Sequence, residues 1–216
     1  VAAYLESEDR LGDVDLIHDT VEKIAHREGI GDLLAEGIDR SHDELNVENW
    51  SVKGMEFPAH DGRTLNGQGL SFATANRGAD HMYAVFYAYE YPLVPKDDAF
   101  HPSGLEQKPA KLVTLENQRA FEDCGVVCRF SRDFMTVERL ERLFDAEFDE
   151  LLSVGARIIN LERDFNNRRG FDRSDDRLPY EIPGFEDALD EYYQIRGWSE
   201  DGVVEKLEDG LSSIEA

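Results

Sequence analysis

The chain has 216 residues, 41% of them hydrophobic, which is enough to bury the core of one large domain or two small ones. Its 47 acidic and 23 basic residues give a formal net charge of -24. This charge disfavours nucleic acid and anionic membranes as partners, because binding to either needs clustered lysine and arginine. No apolar run is long enough to span a bilayer and no segment has the pattern of a signal peptide, so we expect a cytoplasmic protein.

The basic residues are divided unevenly, with seventeen arginines and only six lysines. Strong acidity with little lysine resembles the proteins of salt-in halophiles, in which high salt screens the repulsion between carboxylates. We therefore predict a haloarchaeal source, and an ordinary acidic mesophile protein is the alternative. No acidic run is long enough for a disordered tail, so the charge is expected on the surface of folded elements.

The first half of the chain is predicted to be helical on both sides of an extended segment. Asp13 is placed to cap a helix that ends near Gly29, and Asp32 to open a short helix after it. Residues 46–53 are expected to be extended, and one helix is predicted from about residue 67 to residue 90. Aromatic side chains are dense at the end of that helix, which is typical of a core or of a pocket wall for flat ligands.

The second half is predicted to hold four more helices. Pro109 suits the first turn of one of them, and Thr136 is placed to cap the next. A longer helix is predicted over residues 149–166. Pro183 is expected to start the last helix, and Gly197 to end it. Residues 168–176 between these two are expected to form a loop of mixed charge. Because no repeat and no convincing alternating strand occurs, the fold class is predicted to be mainly α.

The stretch from residue 53 to residue 83, KGMEFPAHDGRTLNGQGLSFATANRGADHMY, contains five glycines and has His81 near its end. A glycine inside a helix costs roughly 1 kcal/mol against alanine, so such glycines indicate a close neighbour of the backbone, either a packed helix or a ligand. The residues alone leave His81 as either a hydrogen-bonded core residue or a functional imidazole. The other charged side chains are expected to tie this loop together: Lys53, Glu56, Asp61 and Arg63.

The two cysteines, Cys124 and Cys128, lie four residues apart in the segment DCGVVCRF. On a helix they would share one face, which suits neither a disulfide framework nor an extracellular protein. Taken alone, Cys128 is either a small buried hydrophobic residue or a thiolate ligand.

Five segments of the chain together resemble the aldehyde:ferredoxin oxidoreductase family, the tungstopterin enzymes. They fall in the family's order and cover nearly the whole sequence. The resemblance implies the helical middle and carboxy-terminal domains of that fold, with residues 1–52 completing the middle domain and residues 53–216 forming the last one. The segments are REGIGDLLAEG (27–37), the stretch 53–83, AFEDCGVVCRF (120–130), LERDFNNRRGFDRSDDRLP (161–179) and LDEYYQIRGWSEDG (189–202).

The resemblance implies oxidation of an aldehyde to a carboxylic acid, with water supplying the oxygen and ferredoxin accepting the electrons. Its cofactors would be tungsten, or molybdenum, held by two pterin dithiolenes, and a [4Fe-4S] cluster. The family's metal receives no essential side-chain ligand, so the protein would orient the substrate and move protons.

The family's cysteine motif reads Asp-x-x-Gly-Leu-Cys. By resemblance, Cys128 is the fourth thiolate ligand of the [4Fe-4S] cluster and Asp123 helps to hold one pterin. Val127 takes the place of the family's leucine, and Cys124 is expected to be a bystander. The sequence departs from the pattern at Val126, where the family has glycine, because Gly125 comes one position early. This departure concerns the backbone beside the pterin rather than the ligand.

A second set of functional residues is implied in the segment NRGADH. By resemblance, His81 lies beside the substrate at the metal, where an imidazole can bind an aldehyde oxygen or accept the released proton. Arg77 would contact a pterin phosphate, with a salt bridge to a nearby carboxylate as the alternative. Asn76 is predicted to bind the cofactor with it.

Two motifs and one domain of the family have no counterpart in the sequence. There is no Cys-x-x-Cys-x-x-x-Cys segment, no first pterin motif and no β-rich amino-terminal domain. One thiolate cannot hold a four-iron cluster, so we expect this chain alone to be inactive and to need the missing amino-terminal part. The alternatives are a cofactor-free helical binding or scaffold remnant, and another oxidoreductase of the superfamily, such as one that reduces aromatic rings.

Overall fold

The structure is a computed structural model that describes residues 1–91, 93–131 and 134–205. Within these ranges the chain forms ten α-helices and one two-stranded sheet. The fold is therefore mainly α, as predicted. None of these helices combines the length and apolarity needed to cross a membrane.

The helices vary in length from one turn to six. In chain order they are α1 (Ala2–Ser7), α2 (Val14–His26), α3 (Ile30–Leu34), α4 (Ile38–Leu45), α5 (Asn66–Thr74), α6 (Tyr87–Glu90), α7 (Lys108–Cys124), α8 (Val137–Phe144), α9 (Phe148–Arg168) and α10 (Phe185–Arg196). Between α4 and α5, strand β1 (Ser51–Val52) pairs antiparallel with β2 (Met55–Glu56); β1 lies within the segment predicted to be extended, and β2 follows it.

Several helix ends lie where local signals place them. The Asp13 side chain accepts a hydrogen bond from the Leu16 amide at 3.0 Å and so caps α2. Helix α10 ends at Gly197, whose φ of 70° is the left-handed conformation that terminates many helices. Pro109 lies in the first turn of α7, and α9 covers the predicted long helix. The cap signals therefore fix these boundaries without help from the rest of the fold.

The single helix predicted from residue 67 to residue 90 is wrong, because the chain leaves α5 after Thr74 and becomes helical again only at Tyr87. Gly78 in the intervening turn has a φ of 94°, and a Cβ at this position would lie 2.2 Å from the carbonyl oxygen of Val52. The backbone therefore approaches β1 too closely for any side chain. As a result, His81 lies in a turn and not on a helix.

Three other local predictions also need correction. Helix α3 begins at Ile30, ahead of Asp32, and Thr136 precedes α8 without a capping hydrogen bond from its side chain. Helix α7 ends at Cys124, so the two cysteines do not share a helix face.

The main core lies where α5, α7, α9 and α10 meet. All nine residues of α5 are buried, which explains why this helix shows no polar face. A second, smaller core joins α7 to α8 and α9 through Phe121, Leu140 and Leu151. These two cores hold the turn that carries His81 and the end of α7. The main core includes Leu70, Leu112, Leu115, Ile159, Leu189 and Tyr192.

Buried ion pairs cross this core, and one of them overturns a prediction. Asp176, expected in an exposed mixed-charge loop, is fully buried, and its carboxylate lies 2.6 Å from the Lys53 Nζ and 2.8 Å from the Arg163 Nη2. Lys53 does tie its loop to the fold, but through the protein interior. A second buried pair joins the Glu90 carboxylate to the Lys108 Nζ at 2.6 Å. Such pairs cost stability when one partner is removed, because the other remains charged in the interior.

Candidate functional site

The two candidate segments come within electrostatic range of each other through Arg77 and Arg129. Arg77 follows α5, and Arg129 follows α7 and Cys128. Burial lowers the pKa of the Arg129 guanidinium, and the positive charge of Arg77 is close enough to lower it further, while Asp123 acts in the opposite direction. Both arginines are paired with carboxylates, Arg77 with Asp80 and Arg129 with Glu122 and Asp123.

Asn76 is held by hydrogen bonds to residues of α9, and its side-chain oxygen has no hydrogen-bond partner. Its Nδ2 donates to the Tyr83 hydroxyl and to the Ile159 carbonyl oxygen, both at 3.1 Å. Asn166 donates to the Asn76 carbonyl oxygen at 2.9 Å. The Oδ1 atom of Asn76 is buried and has no hydrogen-bond partner. A buried acceptor of this kind is costly unless a ligand or water donates to it.

Arg77 forms the salt bridge that the sequence left as the alternative to a phosphate contact. Its Nη2 lies 3.3 Å from the Asp80 Oδ2, and its guanidinium lies 4.9 Å from the centre of the Tyr83 ring. The Arg77 side chain is half-exposed, whereas that of Asp80 is mostly buried. An anionic ligand could bind Arg77 in place of Asp80, whose carboxylate would keep the Met82 amide as a donor.

His81 lies in a cluster of three rings. Its ring centre is 5.0 Å from that of His60 and 6.0 Å from that of Tyr87. His60 stacks on Tyr87 with ring centres 4.2 Å apart and planes 15° from parallel. Burial lowers the pKa of His60, and the charge of His81 lowers it further. His60 was not among the predicted site residues, although it belongs to the same glycine-rich stretch as His81.

Asp123 is oriented by Arg129, whose Nη2 lies 2.8 Å from the Asp123 Oδ2. The same guanidinium also donates to the carbonyl oxygen of Arg119 at 3.2 Å. Val127, half-buried, donates its amide to the Glu122 carbonyl oxygen at 3.1 Å. The Asp123 carboxylate, which is predicted to contact a pterin, is thus half-exposed, and the Arg129 guanidinium holds its orientation.

Both cysteine thiols are exposed, but their backbones differ. Cys124 is the last residue of α7, and its Sγ lies 3.6 Å from the Ala120 carbonyl oxygen of the preceding turn. Cys128 lies beyond the helix, at the start of the short 3-10 helix Arg129–Ser131. Only Cys128 is therefore presented by a loop.

Two of the three residues between the cysteines explain the departure from the family's motif. Val126, 89% exposed, has a φ of 54°, the left-handed conformation that glycine favours. Gly125 has an ordinary φ of -87°, but a Cβ at this position would lie 2.6 Å from the Phe144 ring. Glycine is needed at position 125 for packing, while the left-handed conformation falls one residue later on a β-branched residue.

Replacing Val126 by Gly is expected to raise the free energy of unfolding by about 0.5–1 kcal/mol. Glycine adopts the left-handed conformation without strain, which stabilises the folded state by roughly 1–2 kcal/mol relative to valine. The greater conformational freedom of glycine in the unfolded chain offsets part of this stabilisation. Urea unfolding of the two proteins measures the difference. Val127→Gly is the control, since Val127 is not left-handed and should only lose stability. Equal destabilisation by both changes would contradict the strain at Val126.

Within the described residues, no three or more histidine, cysteine, aspartate or glutamate side chains come together as a possible metal site. Cys128 therefore offers a single exposed thiol.

Comparison with known proteins identifies the family. The model of the aldehyde ferredoxin oxidoreductase family that describes domains 2 and 3 matches residues 4–209. The chain belongs to the aldehyde ferredoxin oxidoreductase family. It is 34% identical over 233 residues to the tungsten-containing aldehyde ferredoxin oxidoreductase of Pyrococcus furiosus and 31% identical over 230 residues to that of Pyrococcus horikoshii. Each comparison covers 93% of this chain and 37% of the relative.

A solved structure shows the same fold. The chain is similar to the active-site complex BamBC of benzoyl coenzyme A reductase in complex with 1,5-dienoyl-CoA, with a TM-score of 0.66 and 18% sequence identity. The match covers 85% of this chain and 36% of that one. The predicted resemblance to the carboxy-terminal part of the aldehyde ferredoxin oxidoreductase family is thus confirmed. The chain spans about 37% of the length of the curated relatives it matches.

Proposed function

We propose that this chain is the carboxy-terminal part of a tungsten-pterin oxidoreductase that oxidises aldehydes to carboxylic acids and transfers the electrons to ferredoxin. The observation that carries the proposal is the 34% identity, over 93% of the chain, to a protein named as a tungsten-containing aldehyde ferredoxin oxidoreductase. In the reaction, an aldehyde and water give a carboxylic acid, two protons and two electrons. The remaining part of the site would come from the amino-terminal part that such relatives contain.

The residues of this chain fit a pterin. The free, buried Oδ1 of Asn76 can accept a hydrogen bond from a pterin N–H group, and Arg77 can exchange Asp80 for a pterin phosphate. Asp123 on the other segment is half-exposed and can accept a further hydrogen bond. The metal, tungsten or molybdenum, with its two pterins would supply the redox chemistry, and these side chains would hold the pterin in place.

Cys128 fits a role as one ligand of a [4Fe-4S] cluster. Its thiol is exposed on a loop, and a soft thiolate is the donor that iron–sulfur clusters use. When bound, the cluster would supply electron transfer to ferredoxin, and Cys128 would hold one of its irons. The other three ligands would belong to the amino-terminal part.

The proposed task of His81 is to bind the aldehyde oxygen and to accept a proton that oxidation releases. His81→Ala is expected to lower turnover by roughly 10²- to 10⁴-fold, the range for one acid–base group. The measurement is aldehyde-dependent reduction of ferredoxin by the complete protein, with tungsten, iron and sulfide analysed in parallel. His101→Ala is the matched control, because His101 lies on an exposed loop.

The outcomes separate the possible functions. Unchanged turnover in His81→Ala, or a loss of folding in step with activity, would make His81 a structural residue. A complete protein that contains tungsten and iron but does not act on aldehydes would favour another oxidoreductase of the superfamily. A complete protein without either metal would favour the cofactor-free scaffold.

We also propose that the protein works at high salt, which the net charge of -24 supports. The Debye length grows from about 3 Å at 1 M to about 10 Å at 0.1 M, so carboxylates repel one another more strongly as salt is removed. The melting temperature measured by circular dichroism is expected to fall on dialysis from molar potassium chloride to low salt. An unchanged melting temperature would exclude the haloarchaeal adaptation.

A further inference from the structure

His60 is the central member of the three-ring cluster. Its ring centre is closer to those of Tyr87 and His81 than the latter two are to each other, at 4.2 and 5.0 Å against 6.0 Å. Tyr87 is itself fixed, because its amide donates to the Gln68 Oε1 of the buried helix α5 at 2.9 Å. His60 is therefore held by Tyr87 on one side and lies next to His81 on the other.

Two imidazoles at this separation cannot be protonated independently. A first proton on either ring places a positive charge about 5 Å from the second ring, in a partly buried site where water screens it incompletely. Interacting groups of this kind take up their protons in two steps that belong to the pair and not to either residue. The charge of the first proton opposes the entry of the second.

The neighbouring charges do not relieve this repulsion. Asp61, next to His60, is engaged by Arg63, whose Nη2 lies 2.8 Å from its Oδ2. Asp80, next to His81, is engaged by Arg77 and also accepts the Met82 amide. Burial and the charge of His81 both lower the pKa of His60, and no carboxylate acts to raise it.

We propose that His60 and His81 act as one pair that accepts a single proton, with His60 as the residue that positions His81 and shares its charge. The proton-accepting role rests on the proposed function, because aldehyde oxidation releases the proton. The pairing itself rests on the ring geometry and can be measured without cofactors. His81 would meet the substrate, and His60, held by Tyr87, would keep the His81 ring in place and limit the pair to one proton.

The test is a pH titration of the histidine ring signals by NMR, with the protein in molar potassium chloride. In the unmodified protein, the His60 signals are expected to move in two steps, because protonation of the neighbouring ring changes the charge beside His60. In His81→Gln, the His60 curve should become a single step with its midpoint at higher pH, because the neighbouring positive charge is gone. His101→Gln should leave the His60 curve unchanged.

A single-step His60 curve that is the same in the unmodified protein and in His81→Gln would overturn the pairing. If His81→Gln does not fold, the two-step curve of the unmodified protein still decides the question. This result is independent of aldehyde oxidation, so the pairing can fail while the proposed function stands.

The second arm measures turnover of the complete protein against pH. His60→Gln is expected to lower turnover by less than the 10²- to 10⁴-fold expected for His81 and to displace the acidic limb of the pH profile. A rate that falls equally at every pH would show that His60 only packs, and would overturn its role in proton acceptance. A coupled titration with normal turnover in both His60→Gln and His81→Ala would overturn the role as well.

Discussion

Asp176→Asn is expected to lower the free energy of unfolding by about 3–5 kcal/mol, the usual cost of removing one partner of a buried ion pair. The carboxylate is fully buried between Lys53 and Arg163, and it also accepts a hydrogen bond from the Tyr193 hydroxyl at 2.5 Å. An asparagine of the same shape would leave two cations in the interior with no countercharge. Chemical denaturation at neutral pH measures the loss.

The loss should become smaller as the pH rises toward the ordinary pKa of lysine. Burial already lowers the pKa of Lys53, and Asp176 raises it, so the substitution removes the main opposing effect. The folded variant then binds fewer protons than the unfolded chain, and stability rises with pH in that range. Asp175→Asn is the matched control, because the Asp175 carboxylate accepts the Asp172 amide and is the weakest of the charges that act on Lys53, and about 1 kcal/mol or less is expected. Equal losses in the two variants would contradict the buried countercharge.

The sequence predicted those parts of the fold that depend on neighbouring residues. The cap at Asp13 needs only the amide three positions later, and the end of α10 needs only the left-handed glycine after it. The long helix α9 shows its apolar periodicity within its own 21 residues. In each case the physical cause lies within one or two helical turns, so the pattern is visible without the fold.

The parts that the sequence did not predict depend on contacts between distant segments. The helix breaks near Gly78 because the backbone there meets Val52, and nothing near residue 78 shows this. Asp176 belongs to a charged segment that is typical of an exposed loop, and only the approach of Lys53 and Arg163 makes it part of the core. Local composition therefore gave the wrong environment.

The sequence likewise predicted some features of the candidate site and missed others. The motifs around His81 and Cys128 were visible as short segments, and the family they indicated is confirmed by the match over residues 4–209. The stacking of His60 on Tyr87 was not visible, because helix α5 and the turn after it lie between them in the chain. The roles of the individual residues, including Cys128, stay predictions that experiment must decide.

Cys128→Ala is expected to remove most of the iron and sulfide from the complete protein, whereas Cys124→Ala should change neither. The thiolate of Cys128 is presented by a loop beyond the left-handed Val126, and Cys124 remains on the last turn of α7 beside the Ala120 carbonyl. The thiolate-to-iron absorption band arises from the bound cluster, so loss of the cluster should also abolish the band. Metal analysis and visible absorption of anaerobically prepared protein measure both effects.

The comparison of the two cysteines makes the experiment specific to position, since both side chains have the same chemistry and both are exposed. The present chain alone should bind no stoichiometric iron, sulfide or tungsten, because one thiolate cannot hold the cluster against competing thiols in solution. Addition of an amino-terminal part with the cysteine triplet should restore the absorption band. If Cys124 is the sensitive residue, the alignment around Gly125 and Val126 is displaced. If neither substitution affects the iron content of the complete protein, Cys128 is no cluster ligand and the scaffold hypothesis gains support.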